Sequence, residues 1–378
     1  MRPIQMVDLK QQYLHIKEEV DRGIHAVLDS SAYINGKSVQ EFADSLAAYI
    51  EVKHVVPCAN GTDALQIAMM ALGLQPGDEV ITPSFTYIAT TEVIALLRLK
   101  PVFAEVDKQT FCIDPEAIKK AITPKTKAIV PVHLYGHVAN MEAIMKLAVE
   151  HNLFVIEDNA QAIGSDFVYS DGTTKKAGSI GTIGCTSFFP SKNLGCYGDG
   201  GAIFTNDDAL ANQLKMVTNH GQRKRYYHEV VGCNSRLDTI QAAVLNVKLK
   251  KLDDYIAARR KAADYYDLAF AKHPKITTPY RAAYSKHVFH QYTLILEGVD
   301  RNGLNEFLAS NSIPSMIYYP VPVHRQQMFA AFGGADFRLD VTDWLTERVI
   351  SLPMHTELDN EQLSFITGKV LEYINRKP

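Results

Sequence analysis

Lys192 closes the run Cys185-Thr186-Ser187-Phe188-Phe189-Pro190-Ser191-Lys192-Asn193-Leu194-Gly195, and Gly198-Asp199-Gly200-Gly201 follows soon after. The small and apolar residues before Pro190 read as a short buried strand. The proline stops it, and the glycines turn the chain into a second strand, Ala202-Ile203-Phe204-Thr205. An ammonium at that place points from a strand end into a loop-lined space. Partial desolvation lowers the pKa of a lysine, and its free amine is then a nucleophile toward a carbonyl. A solvated loop lysine beside a hairpin fits this segment equally well.

Two other segments carry chemistry of their own. Ala59-Asn60-Gly61-Thr62-Asp63-Ala64-Leu65 follows the apolar Val55-Val56 and opens a helix. Glycine lets an anion approach the backbone, and the free amides of a helix start, with the Thr62 hydroxyl, supply donors for a phosphate. The same residues also read as a plain helix start capped by Thr62 or Asp63. The spacing is neither a Walker loop nor a dinucleotide fingerprint. In Ile156-Glu157-Asp158-Asn159-Ala160-Gln161-Ala162, Asp158 ends an apolar strand. Ligands of α/β proteins bind at the carboxyl ends of parallel strands, although an aspartate there also caps the next helix. A phosphate anchor, a carboxylate and an amine in that order meet the needs of pyridoxal 5'-phosphate (PLP). The carboxylate keeps the ring nitrogen protonated and the amine forms the Schiff base.

The elements that must position these groups alternate in type. Near-continuous apolar runs at Glu79–Pro83, Val102–Val106, Ala128–Val132 and Leu153–Asp158 predict strands buried on both faces of a mostly parallel sheet. Helical patterns at Asp63–Gly73, Thr90–Leu99, Pro115–Ala121 and Asn140–His151 lie between them. The fold class is therefore α/β. A long helical pattern from Ser235 to Ala271 leads out of this region. Strands at Val288–Leu296 and Met316–Tyr319, with helices at Asn302–Ser310 and after Asn360, predict a smaller α+β domain. The predicted division is 1–250 for a large cofactor-binding domain and 251–378 for a small one.

Composition narrows the function classes. The chain has 378 residues, 47% hydrophobic and 21% charged, which is enough for a large core, and a formal net charge of −3. There is no general basic field for nucleic acid, so an anion site must be local. No run approaches the length of a membrane span and the N-terminal segment lacks the apolar core of a signal peptide, so a cytoplasmic location is expected. Cys58, Cys112, Cys185, Cys196 and Cys233 are scattered without a CxxC pair, which argues against a disulfide framework or a zinc knuckle.

Asn60–Leu65, Glu157–Gln161, Ser187–Gly195, Gly200–Ala202 and Asn234–Asp238 together resemble the nucleotide-sugar aminotransferases of the DegT/StrS family. The resemblance implies an aspartate aminotransferase-like fold of type I and a homodimer with shared active sites. It implies that Lys192 holds PLP as a Schiff base, that Asp158 faces the pyridine nitrogen and that Gln161 approaches the ring hydroxyl. Gly61, Thr62, Asp63 and Ser187 would hold the phosphate, with Asn234 contributed across the subunit interface. Tyr87 matches an aromatic that covers the ring face, against its other reading as a core tyrosine. Arg236, Tyr318, Tyr319 and His324 match positions near the sugar nucleotide. Read without the family, Tyr318 to His324 is a proline-stiffened loop after a strand.

Relatives that act as dehydratases carry histidine where this chain has Lys192, so the resemblance implies amine transfer. Two half-reactions are expected. An amino donor, expected to be glutamate, converts PLP to pyridoxamine phosphate, and a keto-sugar nucleotide then takes the amine, with Lys192 moving the proton. Across Cys58–Ile67, Thr186–Asp208 and Gly232–Ala243 the chain is similar to enzymes that aminate C3 of UDP-2-acetamido-2-deoxy-3-oxo-glucuronate for surface polysaccharide such as lipopolysaccharide. C3 or C4 of a dTDP- or GDP-linked keto-deoxysugar is the alternative substrate, and a non-catalytic PLP-binding regulator is the alternative class. Two motifs are set aside. His133 and His137 are spaced as zinc ligands on a helix, but they follow a strand, enclose Gly136 and lack the HExxH glutamate, so no metal is expected. Arg223-Lys224-Arg225-Tyr226-Tyr227-His228 is too short a basic run to read as a nucleic-acid surface; a loop near an anionic diphosphate or a solvated turn is expected instead.

Overall fold

The computed structural model describes residues 1–376. In chain order its first strands are β1 (His54–Cys58), β2 (Glu79–Pro83), β3 (Lys100–Ala104), β4 (Thr126–Ile129) and β5 (Phe154–Asp158). β6 (Asp166–Val168) and β7 (Thr174–Lys176) form a side hairpin, after which β8 (Ile183–Ser187) and β9 (Gly201–Thr205) return to the main sheet. That sheet has seven strands in the order β1-β9-β8-β5-β4-β2-β3. Strands β8, β5, β4, β2 and β3 run parallel. β9 is antiparallel to both β8 and β1, so β1 points the same way as the other five.

Every residue of β2, β8 and β9 is buried, which explains the near-continuous apolar runs in the sequence. Successive residues serve opposite faces. Val80, Ile156 and Ile203 pack with Leu65, Ile67, Val93 and Leu214, while Ile81, Ile129 and Val155 pack with Ile118 and Ile144.

The helix predicted from Ser235 to Ala271 is two helices, Thr239–Leu249 and Leu252–Phe270. The first buries Ala242 and Leu245 beside Phe42 and Phe188; the second starts in that same core with Leu252 and Ile256 and carries Ala263, Tyr266 and Phe270 into a different one. The chain breaks between them at Lys250-Lys251. Ahead of them an exposed hairpin is made by β10 (Gln222–Lys224) and β11 (Tyr227–His228).

The remaining strands are β12 (Ile276–Thr277), β13 (Ser285–Lys286), β14 (Tyr292–Leu296) and β15 (Val349–Leu352). β13 extends the β6–β7 hairpin, and β12-β14-β15 is an antiparallel sheet backed by helices Arg301–Ser310 and Asn360–Ile374. Ile4 packs into this second core, and Arg2 donates to the Glu357 carbonyl at 2.7 Å, so the N-terminal residues dock on the C-terminal part of the chain. Of the strand predicted at Met316–Tyr319 only Met316 pairs, through a bridge to Ser351; Pro314 and Pro320 deny the rest a ladder. Likewise β14 begins at Tyr292, because Val288 and Gln291 donate instead to the carbonyls of Gly136 and Tyr135. Among the described residues no helix is long and apolar enough to cross a membrane.

Candidate active site

Sheet register gathers the chemistry. β5, β8, β9 and β1 are neighbours, and their ladders set Asp158 opposite Cys185, Ser187 opposite Gly201, and Gly201 opposite Cys58. The segments that leave β1, β5 and β8 therefore emerge at one edge, the carboxyl edge of the parallel strands. Lys192 lies in the β8–β9 connection. That loop is closed by Phe188 N–H on the Gly200 carbonyl (2.7 Å), Cys196 N–H on the Phe188 carbonyl (2.8 Å) and Lys192 N–H on the Phe189 carbonyl (2.8 Å). A Cβ on Gly195 would stand 2.3 Å from the Pro190 carbonyl oxygen, so only glycine allows this closure. The Lys192 side chain is half-buried. Desolvation draws its pKa down to about 8, with the Asp158 carboxylate opposing the shift, a direction that favours the free amine over a solvated loop charge.

Asp158 is buried at the end of β5. One carboxylate oxygen accepts from the Thr90 hydroxyl at 2.8 Å and the other from Ala160 N–H at 3.1 Å. Its neighbour Glu157 points to the other side of the strand. Glu157 accepts from Gly178, Ile180 and Gly181 N–H at 2.9, 2.7 and 2.6 Å and pairs with His133 Nε2 at 2.8 Å, all buried but the part-buried Gly181 contact. The other His133 nitrogen accepts from Ala139 N–H at 3.2 Å. This histidine is thus occupied in holding the ends of β4 and β5 together.

The helix Gly61–Ala71 follows β1, and its cap is Asn60 rather than Thr62 or Asp63. Asn60 Oδ1 takes Asp63 N–H at 2.8 Å and the Asn60 carbonyl takes Ala64 N–H at 3.1 Å. The amides of Gly61 and Thr62, which have no acceptor within the helix, remain for a ligand. A Cβ on Gly61 would lie 2.6 Å from the Ser187 Cβ, and one on Gly201 would lie 2.4 Å from the Asn60 carbonyl oxygen. The helix start is therefore pressed against the end of β8, and amide and hydroxyl donors share one spot suited to a phosphate.

An aromatic wall stands beside these groups. Tyr87 is 58% exposed, so it is not a core residue, and its ring lies 6.3 Å from that of Tyr319. Gln161 Nε2 donates to the Tyr319 hydroxyl at 3.2 Å, and Gln161 Oε1 accepts from Tyr135 N–H at 2.6 Å. The Tyr135 hydroxyl donates to the Tyr318 carbonyl, and the Tyr318–Tyr319 peptide bond is cis. Asn234 is exposed and Arg236 half-buried on the loop after the β10–β11 hairpin. Between them Ser235 is fully buried, and its hydroxyl accepts from Ala59 N–H at 3.0 Å, which ties that loop to the cradle.

His324 is not brought to the cleft. Its imidazole is enclosed, with Nδ1 2.7 Å from the Ser84 hydroxyl and the ring 6.3 Å from that of Phe103, so it fastens the Pro320–Gln326 segment to the end of β2. Thr90, Glu157 and Ser235 escaped sequence reasoning, which considers His133 only as a zinc ligand. Thr90 had one available signal: it lies a helical turn beyond Tyr87 and faces the same strand ends.

A profile of the DegT/DnrJ/EryC1/StrS aminotransferase family matches residues 14–371. The chain belongs to this family. It is a PLP-dependent nucleotide-sugar aminotransferase with the type I fold. It is 46% identical over 363 residues, 96% of this chain and 98% of the relative, to the UDP-2-acetamido-2-deoxy-3-oxo-D-glucuronate aminotransferase of Pseudomonas aeruginosa. It is 45% identical over 372 residues, 98% of each chain, to the pleiotropic regulatory protein of Geobacillus stearothermophilus. The solved structure of DesV from S. venezuelae superposes with a TM-score of 0.95 at 39% identity, covering 100% of both chains.

Proposed function

We propose that this chain moves an amino group from glutamate to the C3 ketone of UDP-2-acetamido-2-deoxy-3-oxo-glucuronate, in the cytoplasm, for a surface polysaccharide such as lipopolysaccharide. The observation that carries the substrate is the likeness along almost the whole chain to the Pseudomonas aeruginosa enzyme of that name. Lys192, Asp158 and the Gly61–Ser187 cradle support turnover rather than a purely regulatory role, although one relative bears a regulatory name.

The residues present fit PLP. Gly61 and Thr62 amides with the Ser187 hydroxyl would hold the phosphate, while Asp63, whose N–H is taken by Asn60 Oδ1, serves to fix the helix start rather than to bind the anion. Asp158 would keep the ring nitrogen protonated, Tyr87 would cover one face, and Gln161, tied to Tyr319, would orient the ring edge. Bound PLP supplies the electron sink that makes the donor's Cα–H acidic. Lys192 Nζ takes that proton and returns it, a task suited to an amine whose pKa burial has brought to about 8. Arg236, Tyr318 and Tyr319 face the sugar nucleotide. The exposed Asn234 reaches the phosphate of a second copy in a homodimer with shared sites. The proposed division is 1–250 for the large domain and 251–378 for the small one; the break between the helices Thr239–Leu249 and Leu252–Phe270 supports it, while Leu252 and Ile256 still pack in the core of the first part.

The test runs the reaction backwards. The PLP-loaded protein is offered a panel of UDP-, dTDP- and GDP-linked amino sugars, and formation of pyridoxamine phosphate is followed. The UDP-linked 3-amino-glucuronate should react fastest. Preference for a dTDP- or GDP-linked sugar would replace the substrate reading and leave the aminotransferase intact.

A further inference from the structure

Lys248 is a second lysine with its ammonium inside the protein. It is 1% exposed, and among the described residues no carboxylate pairs with it. An unpaired buried cation is strongly disfavoured, so its surroundings must use it. Its Nζ donates to the Gly195 carbonyl at 2.7 Å and lies 4.8 Å from the centre of the Tyr197 ring. Both contacts fall on the stretch that follows Lys192 in the β8–β9 loop.

Gln241 stands on the same face of the helix Thr239–Leu249, seven residues before Lys248. Its Oε1 accepts from Tyr197 N–H at 2.8 Å and its Nε2 lies 3.5 Å from the Tyr197 carbonyl. One rigid helix therefore grips Gly195 and Tyr197 through three polar contacts. The near edge of the loop is fixed by Phe188 and Gly200, and this grip fixes the far edge. The helix itself starts just after Asn234 and Arg236, so the clamp also joins the Lys192 loop to the segment that lies beside the cradle.

We infer that Lys248 is a positioning residue for Lys192, acting through the backbone of Gly195 to Tyr197. Its charge serves as a strong donor to one carbonyl. Lys248 is not among the groups that shift the Lys192 pKa, so the effect is geometric rather than a field acting on the amine. Methionine at position 248 keeps the apolar stem and removes the donor, which leaves the Gly195 carbonyl unpartnered and the loop free to shift. The inference rests on Lys192 being the amine that captures PLP.

The experiment uses full-length PLP-free protein. PLP is added, samples are reduced with borohydride at intervals, and digestion with mass spectrometry measures how much of Lys192 has been captured. Lys248→Met should slow capture by about tenfold, since a shift near 1 Å of a reacting group has effects of at least that order. Noncovalent retention of PLP should stay near wild type, and in turnover kcat should fall with little change in KM. Lys248→Arg, which keeps a donor, should recover most of the rate. Gln241→Leu removes the neighbouring contact without exposing a buried charge and should slow capture in the same direction, and it decides the matter if Lys248→Met does not fold. Capture at the wild-type rate in Gln241→Leu and Lys248→Met, even with a lowered melting temperature, would overturn the inference and leave Lys248 a purely structural residue. Capture of PLP by a different lysine in the wild-type protein would overturn the reading of Lys192 itself and this inference with it.

Discussion

Replacing Thr90 with valine removes one hydroxyl and almost no volume. In the folded protein that hydroxyl donates at 2.8 Å to the Asp158 carboxylate, whose only other donor among the described residues is Ala160 N–H at 3.1 Å. A hydrogen bond to a charged group contributes about 1.5–3 kcal/mol. At about 1.4 kcal/mol per factor of ten, its full expression at Asp158 amounts to a loss of about 10- to 100-fold. The loss is expected in the rate of the half-reaction with the amino donor, because the proposed role of Asp158 is on the cofactor ring and not on the donor. KM for the donor should change little, and Thr90→Ser should recover the rate. The assay is the single-turnover absorbance change of PLP-loaded protein mixed with glutamate. A wild-type rate in Thr90→Val, or a Thr90→Ser variant as slow as Thr90→Val, would refute the argument that this hydroxyl holds Asp158 in its working position.

Other perturbations follow from the same geometry. Gly61→Ala places a methyl group 2.6 Å from the Ser187 Cβ, and relief of that overlap costs about 1–3 kcal/mol; PLP affinity should fall about tenfold or more by equilibrium dialysis, with the fold retained. Asp158→Asn keeps shape but not charge, so it should lower the half-reaction rate by at least about 100-fold while PLP remains bound. Burial brings Lys192 and Lys248 to about 8 from an ordinary 10.5. Between those values the unfolded chain carries protons that the folded, PLP-free protein has released, so their contribution to stability grows as pH rises through this window. Lys192→Met should make that slope shallower in denaturant titrations run between about pH 8 and 10, and an unchanged slope would contradict the lowered pKa.

The strands and the groups at their ends were legible because burial on both faces leaves long apolar runs and because turn residues mark where each run stops. Lys192 after Pro190, Asp158 at the end of β5 and Gly61 after β1 all sit at such stops. What the sequence hid depends on contacts between distant segments. Thr90 meets Asp158 across 68 positions, and His324 meets Ser84 across 240, and no local pattern announces either. The ring beside His324 is that of Phe103, which in turn packs with Phe329 and Phe337 only in the folded chain. The break at Lys250-Lys251 was hidden because the apolar spacing runs on through it, from Leu249 to Leu252 and Ile256 in the same core. The strand expected at Met316–Tyr319 failed where flanking prolines outweighed local β-propensity.

The most direct measurement mixes purified, PLP-loaded protein with glutamate in the absence of any sugar nucleotide. A PLP-dependent aminotransferase working through Lys192 should be yellow and should bleach, releasing one 2-oxoglutarate per active site, while Lys192→Ala should do neither. A colourless protein that is unchanged by added PLP, or a Lys192→Ala variant that bleaches at the wild-type rate, would contradict the account.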